Sequence, residues 1–299
     1  MRVANIIMAY KDPKQIEKMI KAMDHPDLYF FIHLDQKIAM EPFEYLAKLD
    51  RVSFINRRTV CTWGGFSFVQ AVILALEEVL NSTQKFDYFN LMSGQDYPIK
   101  PIHQFVSFLN ENEGKSFISF DEDSQKDWWS HAISRYQNYH FTDVNIKGKY
   151  ALQRVLNAVL PKRKFPLNIK LYGSSISSWW TLHAPCARYL VDFANREHKL
   201  KKFMKYTWGA DEFFYATILM NSPFKNSIVN DNLRMIKWED GSANPVILKQ
   251  KDLHSIISSD KLFARKFDIN VDHNILADIN SYLMVIKMAC AICMLHVEV

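Results

Sequence analysis

The chain has 299 residues, 48% of them apolar and 14% aromatic, which is enough to bury a core in one large or two small domains. Its formal charge is +5, but Lys and Arg alternate with Asp and Glu along the chain. This pattern argues against nucleic acid as a partner and fits a local pocket for a small anion. No run reaches the roughly 18 apolar residues of a membrane span, and the first residues resemble a strand rather than a signal peptide.

Short apolar runs alternate with amphipathic runs in the first half of the chain. VANIIMAY, LYFFIHLD, FDYFNLMS and KSFISFDED are predicted strands, and DPKQIEKMIKAM, FSFVQAVILALEEVL and PIHQFVSFLNEN are predicted helices. Asp12 and Pro13 suit the N-cap and first position of the first helix. The alternation predicts an α/β fold with a mostly parallel central sheet flanked by helices.

Ligands of such sheets lie beyond the carboxyl ends of the strands. In this sequence those ends carry Asp35, the turn SGQD from Ser93 to Asp96, and the acids from Asp121 to Asp123. The stretch GQDYP within the second group is predicted to be a turn.

The second half begins with residues 125–169, an aromatic and basic segment interrupted by Gly148, Pro161 and Pro166. We predict an irregular excursion that partly covers the sheet. SSWWTLHA and LRMIKW follow as predicted strands, and PCARYLVDFAN as a predicted helix. We expect a single domain over residues 1–272 and an apolar tail over residues 273–299.

The tail contains the run SYLMVIKMACAICMLHVEV, interrupted by Lys287. A buried helix is the favoured interpretation, and a helix that adheres to a membrane surface is the alternative. Cys290 and Cys293 form a C-x-x-C pair, but His296 alone does not supply the second ligand pair of a metal site. We therefore interpret these cysteines as small buried residues in a reducing compartment.

Two adjacent acids, Asp211 and Glu212, open the apolar run DEFFYATILM. Asp211 suits the N-cap of a helix, and Glu212 suits the first turn, where negative charge is favoured by about 0.3–1 kcal/mol. Capping explains Glu212 less well, because the aromatic residues that follow would desolvate its carboxylate. Desolvation raises the pKa of a carboxylate toward that of a general base at neutral pH. Both roles stay open for Glu212 on this stretch alone.

The chain has eight glycines, and none forms G-x-G-x-x-G or a P-loop. A phosphorylated ligand would therefore need side-chain cations or a metal ion. Arg265 and Lys266 in LFARKFD are candidate cations, although such a pair is usually a solvated face. Asp121 and Asp123 in FDED suit Mg²⁺ or Mn²⁺, and equally suit a solvent-facing loop. Several tryptophans in the second half suit stacking on sugar rings.

Eight blocks of sequence occur in a specific order: ANIIMAYKDPKQIEKMIKAM, YFFIHLDQK, TVCTWGGFSFVQAVILAL, YFNLMSGQDYPIK, SSWWTL, ADEFFYATILMNSPF, LRMIKW and DKLFARKFD. From Ala4 to about Asp268 the set resembles the core-2 and I-branching β-1,6-N-acetylglucosaminyltransferases, a family that includes peptide O-xylosyltransferases and bacterial relatives. The resemblance implies a GT-A-like α/β fold. It also implies inverting transfer from a UDP-sugar to a saccharide hydroxyl, with no metal cofactor.

The same resemblance implies roles for individual residues. Glu212 would be the catalytic base. The donor-binding residues would be Asp35, Trp63, Gly64, Arg265 and Lys266. The acceptor-binding residues would be Ser93, Asp96, Asp211 and Trp238.

Some features depart from the animal members of that family, which are membrane-anchored and rich in disulfides. This chain starts at its first strand, has few cysteines and reads DWWSHAISRYQNYHF where those members carry a charged acceptor-binding segment. It resembles the bacterial branch, and we expect a cytoplasmic protein, with the tail at the inner face of a membrane as the alternative. N-acetylglucosamine and xylose both fit as the donor sugar. Lys249 is a candidate second cation for the diphosphate.

Two other functions stay open at this stage. One is a metal-dependent GT-A transferase that binds Mn²⁺ or Mg²⁺ through Asp121 and Asp123. The other is a non-catalytic saccharide-binding protein in which Glu212 only stabilises a helix. A glycoside hydrolase is disfavoured, because it needs a second carboxyl group about 5–9.5 Å from the first and the sequence suggests no such partner for Glu212.

Overall fold

The computed structural model describes residues 1–121, 127–239, 241–242 and 244–295. The strands in chain order are β1 Val3–Ala9, β2 Leu28–Leu34, β3 Val52–Phe54, β4 Tyr88–Ser93, β5 Asp96–Pro98, β6 Ser116–Ile118, β7 Trp180–His183, β8 Ile228–Val229, β9 Arg234–Ile236 and β10 Phe263–Arg265. The helices are α1 Pro13–Ala22, α2 Phe66–Leu80, α3 Ile102–Glu111, α4 Asp127–Gln137, α5 Lys149–Val159, α6 Ala184–Arg196, α7 His198–Met204, α8 Asp211–Met220, α9 Leu253–Ser258 and α10 Ile275–Leu295.

The central sheet has seven strands in the order β3-β2-β1-β4-β7-β6-β8. All neighbours are parallel except at β7, which runs antiparallel to both β4 and β6. A second sheet has the order β5-β10-β9, with β5 antiparallel to β10 and β9 parallel to it. The predicted mostly parallel sheet flanked by helices is therefore confirmed.

Strand β1 shows why the core has two halves. Every residue of β1 is buried, and alternate side chains point to opposite faces. Ala4, Ile6 and Met8 join a hydrophobic cluster with α2, α6 and α8. Val3, Ile7 and Ala9 join a second cluster with α1, α3 and the start of α10. The sheet is thus covered on both faces, which leaves its strand ends as the place for a site.

Helix α1 begins at Pro13 as predicted, but Asp12 does not cap it with its side chain. Asp12 has φ 54°, in the left-handed region. Its backbone carbonyl accepts hydrogen bonds from the amides of Gln15 and Ile16, and its Oδ1 accepts one from Asn270 Nδ2 at 2.8 Å. Asp12 is thus the N-cap residue, as predicted, but its carboxylate is turned toward the segment after β10 instead of toward the helix amides.

The predicted turn GQDYP contains strand β5. Asp96 of β5 lies opposite Arg265 of β10 in the antiparallel ladder. The second sheet therefore joins two segments more than 160 residues apart, Asp96–Pro98 and Phe263–Arg265. A local reading of the sequence does not detect such a pairing.

The excursion predicted to be irregular contains two helices, α4 and α5. Helix α5 has no buried residue, and in α4 the buried apolar side chains are Trp129 and Ala132. Both helices therefore contribute little to the hydrophobic core.

The tail forms α10, and its first turns pack on the protein. Asp272 Oδ1 accepts hydrogen bonds from the amides of Asn274 and Ile275 at 3.0 and 3.1 Å. Ile275, Leu276 and Ile279 lie in the second cluster, but they precede the run that begins at Ser281. In that run Met284 and Val285 are exposed, so the buried interpretation of the run stays a prediction. The side chains of Cys290 and Cys293, and all of His296, lie outside the described residues. Within the described residues, no helix combines the length and apolar character needed to cross a membrane.

Candidate active site

A cavity of about 600 Å³ opens where β1, β2 and β4 end. This is the position at which α/β sheets bind ligands, and the volume lies within the roughly 300–1,000 Å³ of ligand pockets. Nine of the ten predicted site residues line it: Asp35, Trp63, Gly64, Ser93, Asp211, Glu212, Trp238, Arg265 and Lys266. The tenth, Asp96, is fully buried and is not part of the lining.

Glu212 lies in the first turn of α8, at the cavity wall. Its Oε2 lies 2.5 Å from Arg135 Nη1 and accepts a hydrogen bond from Trp128 Nε1 at 3.2 Å. Desolvation raises the pKa of Glu212 to about 7, and the nearby charge of Arg135 limits the rise. Both contacts fall on Oε2, and among the described residues none donates a hydrogen bond to Oε1. Glu212 therefore presents an acceptor oxygen whose pKa suits proton transfer near neutral pH.

Asp211 is the first residue of α8, not its N-cap, which is Ala210. The Asp211 carboxylate accepts a hydrogen bond from Ser178 Oγ at 2.6 Å instead of from the helix backbone. Burial raises its pKa. The predicted capping role is wrong because the helix starts one residue earlier than expected, at Asp211 itself. The helix dipole still stabilises negative charge on Asp211, because the residue lies in the first turn of α8.

Arg265 on β10 is held by a buried charge network. Its Nε lies 3.2 Å from Asp96 Oδ1, and Arg234 Nε lies 3.7 Å from Asp96 Oδ2. Arg234 in turn donates to the carbonyl of Leu91 at 2.8 Å and to Asn90 Oδ1 at 2.5 Å. Asp96 is thus enclosed beneath the cavity, so the contact with an acceptor that we expected is not available to it. Its structural role is to fix Arg265.

Arg265 also stacks on an aromatic ring at the cavity wall. Its guanidinium carbon lies 4.3 Å from the ring centroid of Trp179, which is another lining residue. The plane of the guanidinium is therefore set by an ion pair on one side and by a cation–π contact on the other. This rigidity suits a cation that recognises a fixed anion.

Lys266 follows directly in the chain and lines the same cavity. Desolvation lowers its pKa, and the positive charges of Arg265 and Lys11 lower it further. Within residues 1–121, 127–239, 241–242 and 244–295, no carboxylate lies within 4.0 Å of its ammonium group in an ion pair. A half-buried ammonium group without a counterion favours an anionic ligand.

The side of the cavity formed by the ends of β2 and the following loops carries Asp35, Trp63 and Gly64. Asp35 accepts hydrogen bonds from the amides of Lys37 and Cys61 at 3.0 and 3.3 Å, which fix its carboxylate after β2. Trp63 is exposed and contacts Trp208 edge-on, with 5.3 Å between ring centroids.

Both the backbone conformation at position 64 and the side chain next to it require a glycine. Its φ is +68°, and a Cβ at this position would lie 2.9 Å from Trp208 Nε1. Its carbonyl accepts a hydrogen bond from the amide of Gly209 at 2.8 Å, just before α8. The turn therefore joins the Trp63 loop to the helix that carries Glu212.

Ser93 and Trp238 complete the predicted set. Ser93 ends β4, and its Oγ accepts a hydrogen bond from the amide of Gln95 at 3.2 Å. Trp238 lies two residues beyond β9, and its Nε1 is buried without a hydrogen-bond partner among the described residues. A ligand that offers an acceptor to this indole would satisfy it.

Sequence reasoning missed the residues of α4 and its neighbour Trp208 that surround Glu212. Arg135 bonds Glu212 and stacks on Trp208, with 4.5 Å between the guanidinium carbon and the ring centroid. Trp128 and Arg135 are seven residues apart, which places them on one face of a helix. This spacing indicates a shared face only if the segment is predicted to be helical, and the segment was predicted to be irregular.

The described residues form no metal-binding cluster. Among them, no group of three or more His, Cys, Asp or Glu side chains is placed to hold a metal ion. Asp121 pairs with Gly173 through its backbone amide at 3.1 Å and is not part of the cavity lining. Asp123, the other acid of the predicted pair, lies outside the described residues.

Fold and cavity together define an α/β protein whose strand-end cavity is lined by two adjacent cations and by a carboxylate of raised pKa. The family model "Branch: Core-2/I-Branching enzyme" matches residues 3–260. The chain therefore belongs to the Core-2/I-Branching enzyme family, a family of glycosyltransferases. The resemblance to this family inferred from the ordered blocks is confirmed, and the chain has the predicted α/β fold with a mostly parallel central sheet.

Its relatives include xylosyltransferases. The chain is 26% identical over 308 residues to Xylosyltransferase 1 of Rattus norvegicus, covering 94% of this chain and 35% of that protein. It is 26% identical over 293 residues to Xylosyltransferase sqv-6 of Caenorhabditis elegans, covering 88% of this chain and 34% of that protein. The chain thus spans about a third of the length of the curated relatives it matches. A crystal structure of S. aureus TarS 1-349 aligns with TM-score 0.38 and 13% identity, covering 76% of this chain and 57% of that chain.

Proposed function

We propose that the protein is an inverting glycosyltransferase that moves N-acetylglucosamine or xylose from a UDP-sugar to a saccharide hydroxyl. The observation that carries the proposal is that Glu212, Arg265 and Lys266 line one cavity at the strand ends. A base and a pair of cations are the two kinds of group that this displacement requires. Family membership supplies the reaction class, and the cavity supplies residues for each part of it.

Glu212 acts as the general base in this proposal. Its carboxylate takes the proton from the acceptor hydroxyl while that oxygen attacks the anomeric carbon of the donor. The bond between the anomeric carbon and the diphosphate breaks, and UDP leaves with the electron pair. An α-linked donor thereby gives a β-glycoside. The pKa of about 7 supports this role, because the group is then ionised above neutral pH and still basic enough to accept a proton.

Lys266 and Arg265 stabilise the charge that develops on the departing diphosphate. Two features support this assignment. Lys266 is half-buried with a lowered pKa, and Arg265 is fixed by Asp96 and Trp179 before any ligand arrives. Cations that are already oriented stabilise a transition state without reorganising, and they take the role a metal has in other transferases.

The remaining lining residues divide between donor and acceptor. We assign Asp35, Trp63 and Gly64 to the nucleotide. Ser93, Asp211 and Trp238 are assigned to the acceptor. Lys249 is exposed and does not line the cavity, so we do not assign it to the diphosphate. The names of the relatives make xylose the first donor sugar to test.

The proposal is tested by incubating the purified protein with UDP-xylose or UDP-N-acetylglucosamine, EDTA and a panel of saccharide acceptors. The expected result is acceptor-dependent UDP release, a β-linkage in the product by NMR, and no product with Glu212→Gln. An α-linked product would exclude the single displacement. Activity only after addition of Mn²⁺ would favour the metal-dependent alternative through Asp121 and Asp123. Saccharide binding without turnover of either donor would favour the non-catalytic alternative.

A further inference from the structure

Helix α5 presents its polar side to the protein and its apolar side to solvent. On the inner side, Gln153 Oε1 accepts a hydrogen bond from the amide of Phe141 at 2.8 Å. Asn157 Oδ1 accepts one from the amide of Tyr139 at 2.8 Å, and Asn157 Nδ2 donates to the carbonyl of Tyr139 at 2.9 Å. Helix α5 is therefore attached to the protein by these amide side chains, and the apolar residues on its other side take no part in the attachment.

The outer face of α5 carries Leu152, Val155 and Val159, which are 45%, 58% and 70% exposed. Their spacing of three and four residues places them in one stripe along the helix. The exposed residues Ala151 and Ala158 lie within the same stripe. A continuous apolar stripe on an otherwise folded surface marks an interaction site, because leaving it in water costs free energy.

The chain around this stripe is exclusively basic in its charges. Residues 144–191 contain no Asp or Glu, whereas residues 144–170 contain seven Lys or Arg. Lys147, Arg154, Lys162 and Lys164 are exposed, and among the described residues none of them lies in an ion pair. In the part of the chain that the structure describes, these four cations therefore have no carboxylate partner.

We propose that α5 and its basic flanks, residues 146–164, bind the surface of a lipid bilayer that contains acidic phospholipids. The apolar stripe enters the boundary between headgroups and acyl chains, and the flanking cations contact the phosphates. An anionic polysaccharide would satisfy the cations but not the stripe. A protein partner would have to bring an apolar face and acidic side chains together, whereas an acidic bilayer offers both at one surface.

The attachment of α5 also connects this surface to the cavity. The loop beneath the helix leads to Asp143, which accepts hydrogen bonds from the Ser67 amide at 2.9 Å and from Ser67 Oγ at 2.6 Å. Ser67 lies at the start of α2, three residues after Gly64 of the cavity wall. The loop beneath the proposed membrane-binding surface is therefore hydrogen-bonded to the start of α2, next to one rim of the cavity. The proposal does not rest on the transfer reaction.

The experiment measures co-sedimentation of the full chain with vesicles of phosphatidylcholine, with and without phosphatidylglycerol. The test variant is Val155→Gln/Val159→Gln, and the matched control is Met284→Gln/Val285→Gln, an exposed apolar pair on α10. A third variant, Lys162→Gln/Lys164→Gln, removes two charges. Circular dichroism checks that each variant folds, which we expect because these side chains are exposed.

We expect binding to the vesicles that contain phosphatidylglycerol and weak binding to pure phosphatidylcholine. The valine variant lowers the partition coefficient roughly tenfold. Each lysine removed lowers it about fivefold, and added salt weakens binding of the wild type. The α10 variant binds like the wild type.

Four outcomes would overturn the proposal: no binding of the wild type to acidic vesicles, equal binding to both vesicle types, loss of binding in the α10 variant alone, or a dimer in solution that the valine variant dissociates. Binding to dextran sulfate that the valine variant leaves unchanged, together with no vesicle binding, would identify an anionic polymer as the partner instead.

Discussion

On one side of the cavity Glu212 takes its partners Trp128 and Arg135 from α4, whereas on the other side Arg265 is held from beneath by Asp96 and Arg234. The partners of Glu212 lie in the middle excursion, and the side chains of Glu212 and Arg135 are 17% and 22% exposed. The side chains of Asp96 and Arg234 are fully enclosed. The pKa of the proposed base therefore depends on a partly exposed neighbouring charge. The proposed cation site is instead held by enclosed side chains, whose removal should destabilise the protein.

The largest expected effect concerns the proposed base. Glu212→Gln should lower the rate of sugar transfer by roughly 10²–10⁴-fold, which is the contribution of a positioned general base. UDP affinity should stay close to that of the wild type, because the carboxylate does not contact the diphosphate in our proposal. Transfer rate and UDP affinity are measured on the same preparation. The control is Glu44→Gln, which replaces an exposed acid that does not line the cavity. It should change neither the transfer rate nor the UDP affinity.

A retained transfer rate with weakened UDP binding in Glu212→Gln would reverse the assignment of the two sides of the cavity. In that case Glu212 would belong to the donor site, and the base would have to be sought elsewhere.

Breaking the buried network tests the rigidity of the cationic side. Asp96→Ala leaves Arg234 and Arg265 without their counterion in the interior, and it should reduce the free energy of unfolding by about 3–5 kcal/mol. Urea unfolding measures the loss. The control is Asp24→Ala, which removes an exposed ion pair with Arg51 and should cost less than about 1 kcal/mol. Equal effects of the two changes would mean that the buried network does not stabilise the second sheet.

Lys266, which has no ion-pair partner among the described residues, should set donor affinity. Lys266→Ala should weaken UDP binding about tenfold to a hundredfold, since a hydrogen bond to a charged group contributes roughly 1.5–3 kcal/mol. Titration calorimetry measures this change. Lys21→Ala, on the exposed face of α1, is the matched control and should leave the affinity unchanged. Unchanged affinity in Lys266→Ala would remove the diphosphate from this part of the cavity.

The smallest effect is a shift in pH dependence. A base must be deprotonated to act, so with the pKa of Glu212 at about 7 the transfer rate should rise with pH and level off about one unit above that value. The charge of Arg135 lowers this pKa, so Arg135→Gln should move the midpoint to higher pH. Arg196→Gln, on the exposed end of α6, serves as the control. A midpoint that does not move with Arg135→Gln would mean that a different group controls the profile.

The sequence predicted the elements that have strong periodicity. Strands β1, β2 and β4 and helix α2 lie where their apolar runs indicated, because both faces of the central strands are buried. The positions of the site residues at the strand ends followed from this order and from the family resemblance. Nine of the ten indeed line one cavity.

What the sequence could not supply depends on contacts between distant segments. The burial of Asp96 arises from the pairing of β5 with β10, and nothing in the turn SGQD indicates a partner at Arg265. The contact of Arg135 with Glu212 requires α4, which lies in a segment that was predicted to be irregular. The membrane-facing surface that we propose on α5 depends on which side of the helix is turned to solvent, which the sequence alone does not indicate. The amide side chains of Gln153 and Asn157 face inward, opposite to the usual pattern of a surface helix.

Calorimetric titration of UDP into the purified protein in EDTA tests most directly whether the cavity is a metal-free nucleotide-sugar site, because it requires no knowledge of the acceptor. We predict clear binding in EDTA that Mn²⁺ does not strengthen. Absence of UDP binding both in EDTA and in the presence of Mn²⁺ would contradict the assignment of Arg265 and Lys266 to a donor diphosphate. Binding only with Mn²⁺ would contradict metal independence and direct attention to Asp121 and Asp123.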